Sequence, residues 1–127
     1  MKVLDTNLVF AVRCRDCGKI TFHSLSIFQL HEGKRMEFYC ECGSLDMIVQ
    51  IKNKRHILVE MPCLACDMNH NYKYSFKDIF RRRLTTICCL ETGLELCFLG
   101  MEKDVRDIVD KYQEDINRLL VDLGLSY

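Results

Sequence analysis

A small, mainly β fold closed by one C-terminal helix is what this 127-residue sequence predicts. Three observations carry the prediction. Nine cysteines are set mostly in close pairs. A shift of 49 positions lays Cys14 on Cys63, Cys17 on Cys66 and Cys40 on Cys89. Near residue 101 the apolar pattern changes from short strand-like runs to a helical stripe. The expected organisation is a first cysteine-bearing β unit over 1–51, a second and degenerate unit over 52–100, and a helix over 101–127.

Taken in order, Leu8 to Val12 is a short apolar strand that enters the first cysteine pair. Ile20 to Leu30 leaves it with β-branched and aromatic residues, and Met36 to Tyr39 returns to the second pair. Leu45 to Ile51 alternates Leu45, Met47, Val49 and Ile51, the period of a strand with one buried face. The second unit repeats this through Ile57–Met61, Tyr72–Phe80, Leu84–Ile87 and Leu94–Leu99. Leu25–Leu30 and Phe76–Phe80 also suit a single helical turn. The 49-residue shift further pairs Ser26 with Ser75, Leu45 with Leu94, Asp46 with Glu95 and Lys34 with Arg83.

From 101 onward, Val105, Val109, Tyr112, Ile116, Leu119 and Leu123 are spaced by alternating steps of four and three, widened by Ile108 and Leu120. Gly100 precedes this segment and Gly124 follows it, as a helix stop requires. Seven acids against four bases give residues 101–127 a net charge of −3, leaving +3 for 1–100. Two units this small have little core of their own, so the helix is expected to cover their strands. The same stripe, over residues 105–123, also suits a homodimer.

The cysteine chemistry follows from spacing. Pairs such as Cys14-x-x-Cys17 hold metal more often than disulfides in a reducing compartment, because the tight turn aims two sulfurs at one point. Gly18 and Gly43, each just past a pair, supply the positive φ such turns require. Cys14, Cys17, Cys40 and Cys42 therefore read as a four-thiolate zinc site. Inert buried thiols and a redox pair are the alternatives. The second set is Cys63, Cys66 and Cys89, with Cys88 taken as the fourth ligand. In this register Cys42 falls on Glu91, so Glu91, His70 and Cys97 compete for that fourth place. One or two zinc ions per chain are expected.

Cys14-Arg-Asp-Cys17-Gly18-Lys19, paired with Cys40-Glu-Cys42-Gly43, resembles the rubredoxin-type knuckles of zinc-ribbon proteins. More weakly it is similar to small bacterial CpXC-type zinc-ribbon proteins. The likeness covers residues 8–50 and implies β-hairpin units closed by structural zinc. It also implies a protein-binding or nucleic-acid-binding module.

Composition narrows the function. Eighteen basic and eighteen acidic residues cancel, which lacks the usual footprint of a nucleic-acid binder. The only basic runs are Arg81-Arg82-Arg83 and Lys52 to His56, which includes Lys54 and Arg55. Residues 1–12 have no apolar core of signal-peptide length, and no run approaches the ~18 apolar residues of a membrane span. No phosphate-binding loop or nucleophile elbow is present in the sequence. The expectation is a cytoplasmic, non-enzymatic interaction or regulatory module with a protein partner. Nucleic-acid binding through Arg81, Arg82, Arg83, Lys54 and Arg55 is the alternative, and thiol redox or zinc catalysis at the second cluster is a third.

Overall fold

The computed structural model describes residues 7–26, 34–53, 55–63 and 65–124. Lys54 and positions 27–30 of the strand expected over Ile20–Leu30 lie outside these. The elements run β1 (Asn7–Arg13), β2 (Ile20–Ser26), β3 (Arg35–Tyr39), β4 (Leu45–Lys52), β5 (His56–Pro62), β6 (Asn69–Ser75), α1 (Phe76–Arg81), β7 (Leu84–Cys88), β8 (Glu95–Gly100) and α2 (Glu102–Asp122). The expected mainly β class with a C-terminal helix is what forms.

Two four-stranded antiparallel sheets stack face to face, one ordered β2-β1-β8-β7 and the other β3-β4-β5-β6. Each sheet therefore takes one hairpin from the first half of the chain and one from the second. Phe10 pairs with Leu99 in the first sheet, and Val49 pairs with Val59 at the matching place in the second. The core lies between the sheets. Phe10, Val12, Cys97 and Leu99 meet Met47, Val49, Ile57 and Val59 there, all nearly or fully buried. These are the alternate positions of β1, β4, β5 and β8, so period-two patterning places them on one face.

One buried polar pair crosses this core. His23 Nε2 on β2 lies 2.7 Å from Asp46 Oδ2 on β4, and the Asp46 side chain is fully buried. Oδ1 of Asp46 has no partner. Burial pushes its carboxyl above the usual range, against the lowering effect of His23.

The strand expected over Tyr72–Phe80 ends at Ser75. The Ser75 hydroxyl accepts a hydrogen bond from the Asp78 N–H at 3.1 Å, capping a short helix, α1. This is the helical alternative already legible over Phe76–Phe80. Phe76 N–H also donates to the Arg55 carbonyl at 3.0 Å, tying α1 to the β4–β5 turn.

Helix α2 forms the third layer, on the outer face of the first sheet. Val105 and Val109 are buried against Val9, Ala11 and Phe98, with Ile20, Phe22, Leu84 and Ile108 around them. Burial of each valine contributes about 2 kcal/mol. Arg13 stacks over the Tyr112 ring at 5.1 Å and donates a hydrogen bond to its hydroxyl. Gly100, where β8 gives way to α2, is obligatory for close packing. A Cβ there would lie 2.5 Å from the Arg83 carbonyl oxygen. Past Tyr112 the apolar stripe runs off the sheet, leaving Ile116, Leu119 and Leu123 exposed at 39%, 57% and 62%.

The matching outer face of the second sheet keeps Ile48 and Leu58 but is more polar around them. Asn69, Asn71 and Glu60 stand where the first sheet has Ile20, Phe22 and Ala11 under the helix. Of the two matching faces, the helix covers the more apolar one.

Candidate metal centres

The four hairpin turns that carry the cysteines all lie at one end of the sandwich. Val12 pairs with Cys97, which sets the Cys14 turn beside the Cys89 turn. Ile48 pairs with Glu60, which sets the Cys40 turn beside the Cys63 turn. Arg15 crosses from the first turn to Asp67 of the third at 2.8 Å.

Three of these turns share one hydrogen-bond plan. Cys14 N–H donates to the Lys19 carbonyl at 2.8 Å, and Gly18 N–H donates back to the Cys14 carbonyl at 3.0 Å. Cys63 and Cys89 do the same with Met68 and Leu94, answered by the N–H groups of Asp67 and Gly93. The residue four places past each cysteine is left-handed: Gly18 at φ +76, Asp67 at +63 and Gly93 at +78. The Cys40 turn is one residue tighter. Cys40 N–H reaches only as far as the Ser44 carbonyl, and the left-handed residue is Gly43 at φ +94.

That missing residue corrects the internal alignment. Up to Cys89 the halves match at an offset of 49, but beyond it the offset is 50. Phe38 pairs with Met47 and Ile87 with Cys97, with a bulge following in both hairpins. The expected matches of Cys42 with Glu91, Leu45 with Leu94 and Asp46 with Glu95 are therefore displaced by one. The counterpart of Cys42 is Thr92.

Two groups of donors gather, each with all ligand atoms within 4.8 Å of one another. The first is Cys14, Cys17, Cys40 and Cys42, as the spacing predicted. Cys14 Sγ lies 3.5 Å from Cys42 Sγ, and Cys17 Sγ lies 3.6 Å from Cys40 Sγ. A tetrahedron with metal–sulfur bonds of ~2.3 Å has edges of about 3.8 Å, so the spacing suits a metal ion. The second group is Cys63, Cys66, His70 and Cys89. His70 Nε2 stands 3.1 Å from Cys66 Sγ and 3.4 Å from Cys89 Sγ.

His70, on β6, thus takes the place expected for Cys88. Neighbours on an extended strand project to opposite faces, so Cys88 does not join Cys89. Cys88 is half-buried, and its carbonyl accepts the Tyr72 hydroxyl at 2.6 Å. Glu91 is exposed in the turn, and Cys97 is buried in the core with its thiol on the Phe98 carbonyl. Neither belongs to the cluster.

The two clusters exchange one donor for another at matched positions. In the first, the strand position is Thr21, whose hydroxyl donates to Cys40 Sγ at 3.6 Å, and the turn supplies Cys42. In the second, the strand position is His70, and the turn supplies Thr92, whose N–H donates to Cys89 Sγ at 3.4 Å. Threonine and ligand have traded places.

Backbone N–H groups stabilise the sulfurs further: Asp16 and Cys17 donate to Cys14, and Ala65 donates to Cys63. Bonding from Ser44 holds the Cys42 thiol down to about 6, and bonding from Thr92 holds Cys89 down to about 5. Burial pushes Cys14 up to about 12 and Cys66 to about 11. Each cluster thus favours one thiolate while burial disfavours another. A divalent cation removes that conflict, and four deprotonated or neutral-imidazole donors then become stable together.

The basic residues lie elsewhere. Arg55 sits in the β4–β5 turn, Arg81 ends α1, and Arg82 and Arg83 follow it, all exposed and at the end opposite the clusters. Comparison with protein-family models, curated proteins and solved structures found no match to this chain.

Proposed function

We propose that this chain is a non-enzymatic zinc-binding interaction module of the cytoplasm, built on structural zinc, with a protein as its partner. The observation that carries the reading is where the clusters stand. Each one fastens a hairpin of the first sheet to a hairpin of the second. Such a tetrahedron replaces hydrophobic core that a chain this short is slow to supply. Four thiolates suit zinc or iron, but the Cys3His set of the second cluster favours zinc. Two rubredoxin-type knuckles facing each other, as in zinc ribbons, agree with this. The exposed end of α2, with Ile116, Leu119 and Leu123 continuing the buried stripe, is the surface offered to a protein groove.

Native mass spectrometry of protein purified without chelator tests the reading. Two zinc ions per chain are expected. Iron, or chains free of metal, would overturn it. A reversible disulfide among Cys63, Cys66 and Cys89 at cytosolic potentials would replace it with thiol redox chemistry. The same spectra give the subunit number. A dimer that Leu119→Glu dissociates makes the partner a second copy of this chain.

A further inference from the structure

The zero net charge conceals a separation. With all cysteine turns at one end, the other end is formed, among the described residues, by the start of β3, the β4–β5 turn, α1 with the segment leading to β7, and the start of α2. Among the described residues of 34–35, 52–56, 76–84 and 100–104, Lys and Arg number nine and Asp and Glu three, a net of +6. Over 13–19, 39–45, 60–69 and 88–95, at the cluster end, three bases face six acids, a net of −3. Helix α2 runs from the basic end back toward the clusters, where Tyr112 meets Arg13, and its later turns are acidic.

We infer that this basic end is a binding surface for single-stranded nucleic acid. Two runs that are 26 residues apart in sequence, Arg55 and Arg81, are brought to one end because Phe76 N–H bonds the Arg55 carbonyl. Beside Arg55 lies a recess of about 390 Å³ walled by Arg55, His56, Ser75, Phe76 and Lys77. Phe80, 41% exposed, stacks on Phe76 with ring centroids 6.4 Å apart. Arginine forks match phosphate oxygens, and an exposed aromatic face accepts an unpaired base. A duplex buries its base faces, and a bilayer surface is flat where this one is concave. The charge separation also orients the approach of a polyanion, because the acidic end repels it.

The test uses the full, metal-loaded chain and fluorescein-labelled twelve-nucleotide oligo(U) and oligo(dT), read by anisotropy. Saturable binding at 50 mM salt is expected. With about four phosphates engaged, affinity falls on the order of 50-fold between 50 and 200 mM salt. Arg55→Ala/Arg81→Ala/Arg82→Ala together weaken binding at least about tenfold, and Phe80→Ala about fivefold or more. Arg118→Ala, on α2 away from this end, leaves it unchanged. All these side chains are exposed, so the variants keep their metal and their melting temperature, both measured in the same samples. No binding at 50 mM salt, or binding indifferent to the triple change, overturns the inference. So does a duplex bound as tightly as the single strand. Arginine-dependent capture by phosphatidylserine vesicles without oligonucleotide binding reassigns the surface to membranes. Because metal content is read alongside, failure here with two zinc ions retained leaves the zinc reading standing.

Discussion

The two donor clusters occupy matched places in a duplicated frame yet fill the fourth corner differently. One draws it from a turn, Cys42, and the other from a strand, His70. The turn without a second cysteine holds Thr92, and the strand without histidine holds Thr21. The frame therefore specifies a point in space where four donors converge. Which element delivers the fourth donor is free to change. The tighter Cys40 turn explains part of the choice, since its Cys42 comes two residues after Cys40. In the longer Cys89 turn, the equivalent corner falls to threonine.

The most severe way to break this comparison is to remove a shared corner. Cys14→Ser and Cys63→Ser each take a buried sulfur from one cluster. Because every sheet contains hairpins from both halves, either change is expected to abolish cooperative unfolding of the whole chain, a loss exceeding about 5 kcal/mol. Calorimetry and metal content would show it; a surviving transition from an intact second half would count against the interlocked frame. A gentler test moves the fourth corner. His70→Ala should weaken the second metal on the order of 100-fold, and adding Thr92→Cys should recover most of that. Competition with a zinc chelator reads both steps.

The clusters also differ in what they expose once metal is stripped. Cys42 is exposed and held down to about 6, whereas Cys89, held down to about 5, is buried. Only the thiolate reacts, so in a brief pulse above pH 6, begun as chelator is added and before the chain unfolds, Cys42 should be alkylated on the order of tenfold faster than Cys14. Lowering the pH below 6 should slow the Cys42 reaction by about tenfold per pH unit while leaving it faster than Cys14. Peptide mapping after brief iodoacetamide treatment reads it. A last test concerns a feature that one half alone possesses. His23→Ala leaves the Asp46 carboxylate buried and unpaired, at a cost of about 3 kcal/mol. His23→Ala/Asp46→Leu, which copies the Leu96 of the other half, should return most of it in a chemical-denaturation series.

The strands, α2 and the first cluster were legible because each has a local signature: alternation in Leu45–Ile51, the four-and-three spacing from Val105, two tight pairs ending in glycine. The second cluster was half legible. Cys63, Cys66 and Cys89 stood out, but His70 was one of several candidates, since a ligand from a strand has no spacing tied to the far turn. Aligning Gly43 with Gly93 would have exposed the one-residue offset, because both are left-handed turn positions. The partnering of hairpins across the halves left no trace in any local pattern. Phe10 and Leu99 are 89 positions apart, and nothing in either run names the other. The basic end was hidden for the same reason: a total charge says nothing about how topology sorts it.

The exchange of hairpins has a consequence for how such a molecule can be cut and rejoined. Every pairing of the first sheet has its twin in the second under a half-turn, so two copies of one half, facing each other, would satisfy the whole pattern of ladders. The β4–β5 turn is then a covalent tether on a two-fold assembly. It replaces a concentration-dependent encounter with a permanent neighbour. A chain split at residue 53 should regain both sheets on mixing its pieces, at a rate set by their concentration. A single copy of either piece could not close even one sheet.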